Sequence, residues 1–279
     1  MSQTVWRFTL ASVVGTSHAK LAVPCQDASD CEVMYTAAGE PVLVAIVSDG
    51  AGSAARAEVG ATLACELFLG EMYALFAAGG TVQDVSRDFV CDWVKRFQEE
   101  IAAIARPEGL WPRDFACTVL AAIVGIKAAV FFQIGDGAIV VSSQDEPQEY
   151  NWVFWPQKGE YENTTVFATD PESLDYLEHE MYAGSISEIA LFTDGLQRLA
   201  LHFPSQIAYA PFFRAMFAPL RVELPGFREK LSHLLATFLG SSQVNSRTDD
   251  DKTLILATRR ATTALPTAGE SAHDQDGSM

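Results

Sequence analysis

The chain has 279 residues, of which 49% are hydrophobic, and it carries a formal net charge of −17 at pH 7. This length allows one large domain or two small ones with a substantial core, and we expect a single domain over residues 1–260. The acidic excess argues against nucleic acid or an anionic membrane as a partner; it is consistent with a cation-binding centre, although solubility is the simpler explanation.

The cysteines and the N-terminal region indicate a cellular compartment. The chain has five cysteines, an odd number without Cys-x-x-Cys spacing, so neither a disulfide framework nor a zinc ribbon is indicated. Residues 1–15 lack a basic region followed by an apolar one, and the longest apolar stretch, 115–126, is too short to cross a bilayer. We therefore expect a cytoplasmic protein without an export signal.

The first predicted elements lead into a buried strand. Residues 6–14 alternate loosely as an opening strand, a polar loop follows, and residues 32–37 form a second strand. Residues 42–47 are consecutive apolar residues rich in β-branched side chains, the pattern of a strand buried on both faces. Asp49 follows where this strand meets a turn, and Gly50 allows a backbone carbonyl to approach a bound group closely. This is a good position for a metal ligand.

Helices and a meander follow. Apolar stripes at helical spacing predict helices over 54–77 and 82–105. Residues 115–124 and 128–134 form a very apolar hairpin, and 139–142 continue the meander.

The remaining elements complete an α+β pattern. A strand is expected over 164–169, another ends at Asp194, a helix covers 226–239 and a last strand covers 253–258. Residues 261–279 have a composition with little that could pack, which predicts a disordered tail. Strands, two helices and a meander suggest antiparallel sheets flanked by helices.

Aspartates recur at the ends of these strands. Asp136 and Asp194 each follow an apolar strand and precede a glycine, and Asp250 lies in an acidic run that leads into the last strand. Such carboxylates repel one another unless cations compensate them, and hard divalent ions prefer oxygen ligands. An Asp-Gly after a strand is, taken alone, more often a turn, so for Asp136 both interpretations stand, and the acidic run could be a solvated loop.

Five motifs occur in a fixed order: Pro-Cys-Gln-Asp-Ala (24–28), Val-Ser-Asp-Gly-Ala-Gly-Ser (47–53), Ile-Gly-Asp-Gly (134–137), Phe-Thr-Asp-Gly-Leu (192–196) and Asp-Asp-Lys-Thr (250–253). Together they resemble the metal-dependent protein phosphatase (PPM, type 2C) family, in particular its compact bacterial branch. The resemblance implies an α+β fold, a four-layer α-β-β-α sandwich of two mainly antiparallel sheets flanked by helices. It also implies a serine/threonine phosphatase with two Mn²⁺ or Mg²⁺ ions, phosphoprotein substrates and a cognate serine/threonine kinase as partner.

Carried over by position, the resemblance assigns site residues. Asp49 would bridge two metal ions, and the Gly50 carbonyl would help hold one of them. Asp194 and Asp250 would complete the other shell, with Asp27 acting through bound water; Asp49, Asp194 and Asp250 are the expected catalytic set. Two cations about 4 Å apart lower the pKa of a bridging water and clamp the attacking and phosphoryl oxygens, so no phosphoenzyme is required.

The sequence departs from the family pattern in several places. Ala51 occupies the position of a histidine in eukaryotic members, so a general acid is absent there. The arginine that holds phosphate in relatives is not at its usual spacing, and His18 and Lys20 are the nearby candidates for phosphate binding. Asp136 matches a ligand of a third metal ion, but Arg198 stands where a partner acid is common.

Two other functions are compatible with the sequence. One is a catalytically weak or silent relative that binds phosphoproteins or a kinase, which Ala51 favours. The other is a metal-dependent hydrolase of small phosphoesters or nucleotides.

Overall fold

The structure is a computed structural model that describes residues 5–157 and 165–260. Its strands are β1 (Arg7–Val13), β2 (Ala28–Tyr35), β3 (Pro41–Ser48), β4 (Val119–Val124), β5 (Ala128–Ile134), β6 (Ala138–Ser143), β7 (Asn151–Trp152), β8 (Glu178–Ala183), β9 (Ile186–Phe192), β10 (Leu201–His202), β11 (Ile207–Ala208), β12 (Gly226–Phe227) and β13 (Lys252–Thr258). Its α-helices are α1 (Thr16–Leu21), α2 (Ala57–Ala77), α3 (Arg87–Glu108), α4 (Gln197–Ala200), α5 (Ala210–Arg221), α6 (Glu229–Leu239) and α7 (Ser242–Asn245).

Two large sheets form the centre of the molecule. One has the order β12-β1-β13-β9-β6-β7 and the other β2-β3-β4-β5-β8, and β10 pairs with β11 separately. All pairings in the two large sheets are antiparallel except that of β1 with β12. Helices α2 and α3 cover the outer face of the five-stranded sheet, and α5 and α6 cover that of the six-stranded sheet. The predicted α+β fold with four layers, α-β-β-α, is confirmed.

Strand β3 is apolar at consecutive positions because both of its faces are buried. Val42, Val44 and Ile46 face the core shared with α2 and α3, whereas Leu43 and Val47 face the core between the two sheets. Successive strand residues point to opposite faces, so a strand in an inner layer with both faces covered needs apolar residues throughout.

Helix α2 is long and apolar enough to cross a membrane by length and composition alone. Its buried side chains, among them Phe68 and Met72, pack in the core with the five-stranded sheet and α3. The ring of Phe68 lies 5.2 Å from those of Trp93 and Phe132, centroid to centroid. Buried core helices can be equally long and apolar, so the length and composition of α2 are weak evidence of a membrane span.

The structure corrects several predicted boundaries. The strand expected over 164–169 is wrong for its described part, because residues 165–169 form a loop and turn in which the Asp170 carboxylate accepts a hydrogen bond from the Phe167 N–H. Helix α3 begins only at Arg87, because the Ser86 side chain caps it by accepting from the Phe89 N–H at 3.2 Å. The other boundaries shift by a few residues.

Helix α5 was missed. Prolines usually interrupt helices, yet Pro211 lies in the first turn of α5, where the missing N–H has no helical partner to lose.

The expectations for the C-terminal tail and for the cellular compartment are not tested by the structure. Residues 261–279, the expected tail, lie outside the described residues, so the domain boundary at 260 stays a prediction. All five cysteines are unpaired, which is compatible with the expected reducing compartment and does not test it.

Candidate active site

The site is built where the ends of strands from both sheets meet. Asp49 follows β3 of the five-stranded sheet, and Asp194 follows β9 of the six-stranded sheet. Asp27, Asp136 and Asp250 lie close enough to act electrostatically on Asp49, as Asp194 does. The structure therefore brings together all five aspartates that the sequence predicted as metal ligands.

The protonation behaviour of these aspartates reflects burial and mutual repulsion. Burial, reinforced by the charges of Asp27 and Asp194, raises the pKa of Asp49 well above its usual value. Burial also raises the pKa of Asp194 to about 7, with Asp136 and Asp250 adding to the rise and a hydrogen bond with Asp49 opposing it. A group of carboxylates with raised pKa values favours protons or metal cations.

Asp49 is held by the strand next to its own. Its N–H donates to the Thr118 hydroxyl at 3.0 Å, and its carbonyl accepts from the Thr118 N–H at 2.8 Å. Gly50 forms an isolated β-bridge with Cys117, and a Cβ at Gly50 would lie 2.7 Å from the Gln26 carbonyl oxygen. The turn after β3 is therefore fixed in place, with the loop before Asp27 packed directly against it.

Asp27 is buried and connects the two sheets. One of its carboxylate oxygens accepts a hydrogen bond from the Thr193 hydroxyl at 2.8 Å, and that hydroxyl also accepts from the Thr253 N–H at 3.1 Å. Burial raises the pKa of Asp27 to about 7, although bonds from these threonines lower it. The sequence analysis missed both threonines, because residues so far from Asp27 in the chain carry no local signal of the contact.

Asp136 lies at the turn between β5 and β6 and is half-buried. Its carboxylate accepts from the Thr165 hydroxyl at 2.6 Å, and its backbone carbonyl accepts from the Gln197 side chain. Burial raises its pKa. These contacts are compatible with both the turn role and the third-metal role, so both interpretations stand.

Asp250 and Asp251 have different environments. Asp251 is buried, and its two oxygens accept from the backbone N–H groups of Gly15 and Gln26, each at 2.6 Å. Asp250 is exposed and lines an open cleft next to Asp194. Asp251 thus anchors the loop, while Asp250 faces the cleft with one carboxylate oxygen accepting from the Asp251 N–H at 2.9 Å. The role of Asp250 as a metal ligand stays a prediction.

The two predicted phosphate-binding residues occupy different places. His18 Nδ1 lies 3.0 Å from a carboxylate oxygen of Asp251, without the alignment of a hydrogen bond, and its Nε2 faces the turn at Gly52. Lys20 is exposed near the end of α1 and does not line the cleft. The structure does not bring them together as a pair, and their role in phosphate binding stays a prediction.

Close backbone packing at Gly195 holds the loop that carries Asp250. A Cβ at this position would lie 1.9 Å from the carbonyl oxygen of Asp251, so any side chain must displace that loop. We expect Gly195→Ala to lower both the thermal stability and the activity, by an amount on the order of 1–3 kcal/mol in unfolding free energy.

Chemical denaturation and phosphatase assays measure the effect of Gly195→Ala. Gly70→Ala is the matched control, because Gly70 is exposed within α2 with nothing within 4 Å of its added Cβ, and alanine should stabilise that helix by about 1 kcal/mol. Equal behaviour of the two variants would contradict the proposed packing.

An open cleft of about 730 Å³ lies beside the aspartate group. Asp194 and Asp250 lie on its wall, whereas Asp27, Asp49 and Asp136 do not line it. Its other lining residues are Gly195, Gln197, Arg198, Phe203, Asn245, Ser246, Arg247, Thr248 and Asp249. The sequence analysis did not foresee that Arg247 and Phe203 would border the site, since Arg247 belongs to no motif and the short strand β10 before Phe203 was not predicted.

The donor set fits hard divalent cations. Within residues 5–157 and 165–260, no group of three or more histidine, cysteine or acidic side chains has the arrangement needed to hold one metal ion. Even so, Oδ1 of Asp27, Oδ1 of Asp194 and Oε1 of Gln26 are buried without a hydrogen-bond partner in this part of the chain. Buried carboxylate oxygens without partners are costly, and a bound cation relieves that cost. The individual ligand roles stay predictions.

Comparison with known proteins identifies the family. The family model for protein phosphatase 2C matches residues 14–239. Serine/threonine-protein phosphatase 3 of Escherichia coli (strain K12) is 38% identical over 253 residues, which cover 90% of this chain and 98% of that protein. The chain belongs to the protein phosphatase 2C family. The family predicted from the five motifs, and with it the enzyme class of protein phosphatase, is confirmed.

Solved structures support the same fold for this protein phosphatase 2C chain. The serine/threonine phosphatase Stp1 from Staphylococcus aureus matches with a TM-score of 0.59 at 15% identity, covering 90% of this chain and 94% of that one. RsbX in complex with magnesium matches with a TM-score of 0.54 at 12% identity, covering 92% and 97%. At such identities the similarity shows the fold alone.

Proposed function

We propose that this chain hydrolyses phosphoserine and phosphothreonine in proteins, using two Mn²⁺ or Mg²⁺ ions held by the aspartate group. The observation that carries the proposal is the convergence of Asp27, Asp49, Asp194 and Asp250. Within the described residues none of the four forms a salt bridge with an arginine or lysine, although the charge of Lys252 acts electrostatically on Asp27 and Asp250. The serine/threonine specificity of the Escherichia coli relative supports the substrate class.

The position of each aspartate suggests its role in metal binding. Asp49, anchored between the two sheets, and Asp194, opposite it, would hold the ions together with Asp250 and the Gly50 carbonyl, and Asp27 would act through bound water. When bound, such ions would lower the pKa of a water molecule and offset the negative charge of the phosphoryl oxygens. Asp250, at the cleft wall, would face the arriving phosphoryl group. Asp136 would contribute to a third ion.

Cys25 is a poor candidate for an alternative nucleophile. Burial raises the pKa of the Cys25 thiol, the cysteine nearest in sequence to Asp27, to about 12. A neutral thiol at pH 7 is a poor nucleophile, because the thiolate is the reactive form. This argues against a phosphocysteine intermediate at Cys25, and the proposal is attack by water without a phosphoenzyme.

The biological setting follows from the proposed reaction. Phosphoproteins are the substrates, and a cognate serine/threonine kinase is the enzyme that would supply them. The cytoplasm is the compartment we propose, which the five unpaired cysteines support.

A metal titration of activity on a phosphothreonine peptide tests the proposal. We expect no phosphate release in EDTA and recovery of turnover on addition of Mn²⁺ or Mg²⁺. Turnover unaffected by EDTA would contradict the metal mechanism. Metal binding without turnover on phosphopeptides would instead support a silent relative, and faster hydrolysis of nucleotides than of phosphopeptides would support a small-molecule phosphatase.

A further inference from the structure

The cleft beside the aspartate group contains two arginines. Arg198 lies on α4, four residues after Asp194, and Arg247 follows α7 in the segment that leads to Asp250. Both line the same cavity of about 730 Å³ as Asp194 and Asp250. That volume is much larger than a phosphoryl group needs and is in the range of pockets that hold extended ligands.

Among the described residues, no hydrogen bond or ion pair explains the place of either arginine. Both side chains are exposed, and neither guanidinium makes a hydrogen bond or ion pair within residues 5–157 and 165–260. Other arginines of the chain are engaged: Arg56 with Glu108, Arg96 with Glu71 and Arg228 with Glu223. In the described part of the chain, two guanidinium groups without a partner thus face one cleft and are available to a ligand.

The two arginines lie in a protein with a large negative net charge. The chain has a formal net charge of −17, with only 19 lysines and arginines, so its overall field repels an acidic substrate. Local cations at the entrance to the site would counter that repulsion where the substrate docks. Guanidinium groups suit this role, because they bind carboxylate and phosphate oxygens in a bidentate manner.

The cleft continues onto an aromatic surface. Phe203, which is 39% exposed, borders both this cleft and a second cavity of about 630 Å³ that Trp155, Pro156 and Pro204 also line. The Trp155 ring packs edge-to-face against Phe203, with centroids 5.4 Å apart. An extended peptide that follows the cleft from the aspartate group into the second cavity would contact this apolar surface as well as the arginines.

We propose that Arg198 and Arg247 select phosphoprotein substrates that carry acidic residues beside the phosphorylated residue, with an apolar residue further along on Phe203 and Trp155. The inference rests on the proposed function and deepens it by naming the substrate class. The arginines are specificity residues, since they contact the flanking chain rather than the reacting atoms.

The test compares two phosphothreonine peptides that differ only in their flanks, one acidic and one lysine-rich, with p-nitrophenyl phosphate as a substrate that has no flanks. We expect the wild-type chain to favour the acidic peptide in kcat/KM by about fivefold to twentyfold, as two exposed ion pairs would give. The double variant Arg198→Glu/Arg247→Glu should lose or reverse this ratio, with rates normalised to its own hydrolysis of p-nitrophenyl phosphate.

Two matched variants separate charge from structure. Arg106→Glu makes the same charge change at an exposed arginine of α3 that does not line the cleft, and it should leave the peptide ratio unchanged. Arg198→Lys/Arg247→Lys keeps the charge and should keep most of the preference. Added salt should weaken the wild-type preference, because exposed charges are screened.

The outcomes distinguish this inference from the proposed function. A peptide ratio near one in the wild type, or one unchanged in the double glutamate variant, would overturn the inference while leaving the phosphatase intact. Dissociation constants for the same peptides, measured by fluorescence anisotropy, test the preference without turnover. A chain that hydrolyses nothing yet binds the acidic peptide through its arginines would overturn the proposed function and retain the inference.

Discussion

Replacement of Asp49 by asparagine should abolish metal-dependent phosphatase activity while raising the stability of the metal-free protein. Asp49 lies at the centre of the aspartate group and feels the charges of Asp27, Asp136, Asp194 and Asp250. A neutral amide removes repulsion from the folded state but also removes a ligand. Because metal ions supply several kcal/mol of charge stabilisation, we expect a loss of at least about a thousandfold in kcat/KM.

Phosphate release from a phosphothreonine peptide across a Mn²⁺ titration measures the first effect, and thermal unfolding in EDTA at pH 8 measures the second. A higher melting temperature shows that the loss of activity does not come from misfolding. Asp175→Asn, at an exposed position outside the site, is the control and should change neither quantity. Retention of Mn²⁺-dependent turnover by Asp49→Asn would remove the basis for the metal centre.

The metal-free protein should become less stable as the pH rises from about 4 to about 7. The pKa values of Asp27 and Asp194 are raised, mainly by burial, from 3.8 to about 7 in the folded chain. Between these values the folded chain holds protons that the unfolded chain has released, so the free energy of unfolding falls with rising pH. A decrease in melting temperature on the order of 5–10 °C is expected.

Thermal unfolding in EDTA at several pH values tests this, and addition of Mn²⁺ should raise the melting temperature most at the high end of the range. Cations replace the protons there and bind only the folded state. Asp194→Asn should flatten the pH dependence in EDTA, because one of the carboxyl groups with a raised pKa is then neutral at every pH. A metal-free stability that increases over this range would show that the carboxylates do not repel one another as inferred.

Much of the site followed from local sequence patterns. The apolar run before Asp49 predicted a strand buried on both faces, and β3 has one face toward α2 and α3 and the other toward the second sheet. The same pattern before Asp194 placed that residue at the end of β9. A strand and its turn are determined by residues adjacent in the chain, so these features could be predicted.

Secondary structure was predicted wrongly where neighbouring residues in the sequence favour conflicting structures or favour none. The proline-containing helix α5 was missed, since prolines usually interrupt helices, yet Pro211 lies in its first turn. The strand expected over 164–169 was wrong in its described part, where residues 165–169 make contacts of a loop, including the Ala168 N–H to the Cys117 carbonyl at 2.8 Å.

The sequence by itself determined most of the long strands and helices and the aspartates at the strand ends, because hydrophobic periodicity and turn residues are local properties. Only the tertiary structure decided that Asp251 anchors the loop while Asp250 faces the cleft, and that Thr193 holds Asp27. It also brought Arg198 and Arg247 into one cleft. These contacts join residues distant in the chain, and their geometry depends on how the two sheets pack, which no local pattern encodes.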